Sequence, residues 1–161
     1  MTGIILMLAL GLAATEPIVN EAIINAPIAE VWKIWTTAEG MQSWMVAKTD
    51  IDLRVDGLWR TSYSKASNLD DATSIHHRIL GFDPGHMFSF HTVKAPKNFP
   101  FPNAILKTWT VVYFEPAGDA RTKVTIRMLG FTEDEESQRM RTFFETGNKS
   151  TLDSLIKKFA K

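Results

Sequence analysis

Residues 132–161 read TEDEESQRMRTFFETGNKSTLDSLIKKFAK, and their pattern decides the architecture. Met140, Phe143, Phe144, Gly147, Thr151, Leu152, Leu155, Ile156 and Phe159 recur at spacings of three and four, which places them on one face of an α-helix. Thr132 followed by Glu135 has the form of a capping box. Glu133, Asp134 and Glu136 add acidic charge to the first turn, where the helix dipole favours it. Lys149, Lys157, Lys158 and Lys161 lie toward the other end, as the same dipole prefers. A long helix with so wide an apolar stripe needs a sheet to cover it.

The preceding residues supply that sheet. Lys107–Phe114 and Lys123–Leu129 read as a hairpin, joined across Pro116–Asp119. Ile75–Phe82 and Met87–Thr92 form another around Asp83-Pro84-Gly85. Ile51, Leu53 and Val55 alternate with Asp50, Asp52 and Arg54, predicting a half-buried strand that turns at Asp56-Gly57 into Leu58–Ser64. At the start, Ile18–Asn25 reads as a strand. Pro27 then opens a helix with Ile28, Val31, Trp32 and Trp35 on one face, which Gly40 is expected to break before a short apolar turn at Met41, Trp44 and Met45. Strand, two helices, antiparallel hairpins and a long terminal helix make a two-layer α+β domain. A curved antiparallel sheet of about seven strands must then wrap around the C-terminal helix, leaving space between them near the open end.

Composition narrows the function classes. The chain has 161 residues, enough for one domain with a real core; 18 basic residues balance 18 acidic ones, with no polybasic run to attract phosphates, so nucleic acid is not an expected partner. No cysteine is present, which removes disulfides, thiolate nucleophiles and cysteine-based zinc sites. The apolar run Ile4–Leu12, followed by small residues, predicts a signal peptide over residues 1–14 and hence an exported protein, the alternative being a buried or frayed N-terminal segment of a cytoplasmic one.

Several segments resemble a known superfamily. Asn25-Ala26-Pro27 through Val31-Trp32 and Trp35-Thr36, then Glu39-Gly40-Met41 to Trp44, is similar to the opening motif of START-like (helix-grip) proteins. The nearest branch looks like the homologues of the heat-shock-protein-90 ATPase activator. Asp56-Gly57, Asp83-Pro84-Gly85 and Thr122–Ile126 agree in order, so the resemblance covers residues 18–161. It implies the helix-grip fold and a pocket beside the terminal helix. Members often carry an aromatic after the mid-helix glycine; this chain has Gly147-Asn148. The co-chaperone that names the branch is a cytosolic two-domain protein, so its activity is not expected of one exported domain.

Within such a pocket, Trp59, Tyr63, Phe90, Trp109 and Phe144 are candidate ligand-binding aromatics, although Trp109 sits on a strand apolar on both faces and its direction is open. If the turn at Asp83-Pro84-Gly85 pairs Phe82 with His86, His76 and Arg78 face inward with Leu80, Phe82, Phe88 and Phe90, and His77 faces outward opposite His91. Arg78 then meets a ligand carboxylate or carbonyl, or pairs with an acidic neighbour. A His77–His91 pair lacks a third ligand, and no metal is assigned. Phe99 and Phe101, on a proline-stiffened loop, read either as a lid or as a contact patch for a protein partner. No nucleophile elbow, phosphate loop or dinucleotide fingerprint occurs, and no cofactor is expected. The expected function is binding of a small hydrophobic or amphiphilic molecule. The alternatives are a small polyketide-cyclase-like enzyme using His76 and Arg78, and a partner-docking module.

Overall fold

A computed structural model describes residues 15–160; the expected signal peptide lies outside them. The elements run β1 (Ile18–Ile24), α1 (Ile28–Thr36), α2 (Ala38–Gln42), β2 (Lys48–Ile51), β3 (Leu58–Ser62), β4 (Ile75–Asp83), β5 (Met87–Lys94), a short 3-10 turn (Ile105–Lys107), β6 (Trp109–Pro116), β7 (Thr122–Leu129) and α3 (Glu135–Lys158). The strands form one antiparallel sheet in the order β1-β7-β6-β5-β4-β3-β2, and α3 packs across its concave side. The α+β helix-grip architecture expected from the sequence is the one observed.

Local chemistry explains most boundaries. β1 alternates, with Ile18 and Ile24 buried and Val19 and Ile23 half-exposed, because one face meets α3 and the other meets water. Pro27 precedes α1, whose buried side is Val31, Trp35 and Thr36. Gly40 does not break this helix as expected. Extended backbone at Thr37 ends it, and Thr37 Oγ1 accepts from Gly40 N at 3.1 Å to start α2. Position 40, inside α2, takes glycine because a β-carbon there would sit 2.4 Å from Ile34 Cα.

Three further expectations are corrected. β2 ends at Ile51, short of Val55, and residues 52–57 form the connection, in which Asp56 N donates to Ile79 O and Ile79 N donates to Gly57 O. The cap of α3 is Asp134 rather than Thr132: Asp134 Oδ1 accepts from Ser137 N at 3.0 Å, and Ser137 Oγ accepts from Thr132 N at 2.9 Å. The apolar stripe of α3 is narrower than its spacing suggests, since Met140, Leu152 and Leu155 are buried but Phe143 is 50% exposed.

The consequential difference is the register of β4 against β5. Asp83 pairs with Met87 and Phe82 with Phe88, but a bulge at Leu80 brings Ile79 opposite Phe90. One extra residue reverses the alternation beyond it. Ile79, His77 and Ile75 therefore share the concave side with Phe88 and Phe90, and Leu80 is turned out to solvent.

The interior has two packed clusters. One joins α1, α2 and the C-terminal half of α3 to the sheet through Trp35, Phe88, Phe114, Leu152 and Leu155. The other gathers Ile18, Phe101, Ile105, Phe131 and Met140 around the N-terminal half of α3. Between them the sheet and helix stand apart.

Candidate functional site

That gap is a cavity of about 630 Å³, within the range of small-molecule pockets. Its wall combines sheet residues such as Trp59, Phe90, Val112 and Met128 with Phe144, Asn148 and Thr151 of α3. Thr61, Thr92 and Thr110 add hydroxyl-bearing side chains to this largely apolar lining. Among the described residues, no Asp, Glu, Lys or Arg belongs to the wall.

His77 is the central polar group. Its ring lies beside Trp59, with centroids 4.6 Å apart, and edge-on to Phe90 at 5.0 Å. Nδ1 is 3.2 Å from Thr92 Oγ1, and this is its one hydrogen bond among the described residues. Burial, reinforced by the nearby His76 and His91, pushes its pKa down to about 3. At neutral pH the imidazole is uncharged. Trp59 is held in turn by a 3.0 Å hydrogen bond from Nε1 to Thr49 Oγ1, so the stacked pair is fixed from behind.

His76 and Arg78 are not on the wall, contrary to expectation, because the Leu80 bulge reverses their face. Nε2 of His76 bonds Leu69 O at 2.8 Å and Ser74 Oγ at 3.1 Å, tying down the preceding loop. Arg78 Nη1 donates to Asp56 O at 2.8 Å, and its side chain is 41% exposed. His77 pairs with Thr92 rather than His91, which lies opposite Arg78. No cluster of three metal-ligating side chains occurs among the described residues.

The aromatic candidates are gathered more closely. Trp59, Tyr63, Phe90, Trp109 and Phe144 all line the cavity, with Tyr63 and Trp109 partly in solvent. Trp109 borders the cavity at the start of β6, paired with His91 and Leu129 and so out of step with Phe90 and Thr110, and Gly130, with a positive φ of 89°, passes with its missing β-carbon 2.8 Å from the Trp109 ring. The two loop phenylalanines divide. Phe101 is 7% exposed and belongs to the second core cluster, not to the wall; Phe99 lines the cavity. Phe99 meets Phe143 at 6.1 Å and Phe144 at 6.4 Å, so the loop is packed on α3 as a cover. Glu136 holds it there: Oε1 accepts from Asn103 N at 2.8 Å and Ala104 N at 3.0 Å, and Oε2 from Asn103 Nδ2 at 3.2 Å. These bonds, that from Ala104 first, keep the carboxyl below the usual glutamate range.

Sequence reasoning missed His77, Trp35 and Asn148 as wall residues. Asn148 carried a signal, since it stands where an aromatic is common; His77 carried none, because only the bulge turns it inward.

A curved antiparallel sheet closed on a long C-terminal helix around a cavity defines a helix-grip domain of the START-like superfamily. Residues 25–160 match the family model described as Activator of Hsp90 ATPase homolog 1-like protein, and the chain belongs to that family. Solved structures of similar fold include protein MLL2253 from Mesorhizobium loti, 17% identical, covering 88% of this chain and 95% of that one with a TM-score of 0.69. The Aha1 dimer from Colwellia psychrerythraea is 15% identical over 89% of this chain and 95% of that one, with a TM-score of 0.66. CalU16 from Micromonospora echinospora is 19% identical over 88% and 74%, with a TM-score of 0.63. No curated protein matches the sequence significantly.

Proposed function

We propose that this domain binds a small hydrophobic or amphiphilic molecule in the cavity between the sheet and α3. The observation that carries this reading is the cavity itself: about 630 Å³ of space with a largely apolar wall in a chain of 161 residues. Leaving so much apolar surface unfilled forfeits packing that an ordinary core would recover, so the site is better explained by a guest than by loose assembly. The aromatic wall supplies area for that guest, and the Phe99 loop limits its exchange with water.

Trp35, Trp59 and Trp109 line the cavity, which makes binding visible. Protein purified from its own host should carry a small molecule detectable by native mass spectrometry, and stripping it should change tryptophan emission. A protein that carries nothing, and whose emission and melting temperature no apolar compound alters, would rule the reading out.

A further inference from the structure

We infer that the cavity selects an uncharged ligand bearing a carbonyl-type hydrogen-bond acceptor, seated at His77. This rests on the ligand-binding reading above and narrows it to a chemical class.

The first support is the charge of the wall. No Asp, Glu, Lys or Arg among the described residues contributes to it, and Arg78, the nearby cation that a carboxylate would seek, is turned away to Asp56. The titratable wall residues are His77, His91 and Tyr63, the last 72% exposed. An ionised head moved from water onto such a wall loses hydration with no opposite charge to replace it. His77 does not replace it, because burial keeps its imidazole neutral.

The second support is the supply of donors. The Thr92 hydroxyl occupies Nδ1 and leaves Nε2 without a partner among the described residues; in the tautomer in which that hydroxyl donates, Nε2 carries the proton and is free to donate to a guest. Two other wall residues hold buried donors with no acceptor among the described residues, Trp35 Nε1 and Asn148 Nδ2. A buried N–H without an acceptor is costly, and these two, beside the unpartnered Nε2 of His77, fit a guest that brings an acceptor of its own. A ketone, ester or amide carbonyl does so without charge, and its hydrocarbon part covers Trp59 and Phe90.

The test compares three ten-carbon probes at pH 8: 2-decanone, ionised decanoate and n-decane. Their displacement of the neutral dye Nile red is measured on wild type, His77→Phe and Asn148→Leu. Phenylalanine keeps a ring between Trp59 and Phe90 but removes the donor, and Asn148→Leu removes the second donor should His77→Phe fold poorly. For wild type, 2-decanone should bind at least about tenfold more tightly than decanoate. Each variant should weaken 2-decanone by about 3- to 10-fold, while decane changes by less than about twofold. Decanoate binding as well as the ketone, or a ketone-to-decane ratio unchanged in both variants, overturns the inference and leaves the cavity a binder of another class. Failure of Nile red and all three probes to bind wild type overturns the ligand-binding reading along with it.

Discussion

The carboxylate of Glu136, in the first turn of α3, accepts the backbone N–H of Ala104 at 3.0 Å, and that of neighbouring Asn103, so a helix-start acid fastens the loop that covers the cavity. Its pKa is lowered by these bonds, so they are fully present above the ordinary glutamate value of about 4.3 and are lost as pH falls through the lower folded value. Glu136→Gln keeps one acceptor but loses the charge. The variant should exchange the amide protons of Asn103 and Ala104 faster at pH 7, and wild type should approach it only at pH below the ordinary glutamate range. Equal protection in both proteins at pH 7 would show that the carboxylate does not hold the loop.

His77 gives stability a second pH dependence, of defined sign. Its folded pKa is depressed to about 3, whereas the unfolded chain takes up the proton near the ordinary histidine value of about 6.5. Stability from this group is therefore complete above that value and falls as pH drops toward 3. Between pH 8 and pH 5 wild type should lose up to about 2 kcal/mol more than His77→Phe in urea unfolding. Parallel pH profiles for the two proteins would mean that the imidazole is solvated.

Asn148 should set stability against binding. Its buried amide donor has no acceptor among the described residues, and it occupies a helix interior where leucine is the better former. Asn148→Leu should raise the unfolding free energy of ligand-free protein by about 1 kcal/mol. A lower melting temperature would indicate that the amide has a partner in solution.

Leu155 and Phe143 lie on the same helix but differ in role. Leu155 is fully buried in the first core cluster, so Leu155→Ala should cost about 2–5 kcal/mol. Phe143 is 50% exposed and touches Phe99 and Phe101, so Phe143→Ala should cost about 1 kcal/mol. Thermal melts of the two variants decide this: a Phe143→Ala loss as large as that of Leu155→Ala would place Phe143 in the core.

Arg78→Met tests the bulge directly. With the guanidinium on Asp56 and partly in solvent, the substitution should cost less than about 1 kcal/mol and leave probe binding in the cavity within about twofold. A large loss of binding would return Arg78 to the concave face and remove the bulge at Leu80.

The sequence by itself determined the elements and their order. The three–four spacing from Met140 to Phe159 marks α3, the turn residues at Asp83-Pro84-Gly85 mark a hairpin, and the shortage of covering helices forces the sheet to curl. These are local signals or simple consequences of burying one face. The aromatics of the wall were legible for the same reason: on a one-sided sheet, large apolar side chains go to the concave side. Only the tertiary structure decided which polar residues join them. Period-two counting along β4 is valid until a residue goes unpaired, and the bulge at Leu80 is set by how β4 lies against β5 and by the Asp56–Gly57 backbone bonding to Ile79. Those contacts are distant in sequence, and a single extra residue is enough to exchange Arg78 for His77. Likewise Glu136 reads as a helix-start acid, and nothing local shows that its carboxylate faces the backbone of Asn103 and Ala104, more than thirty residues earlier. A charged pocket and a neutral one differ here by the register of one strand.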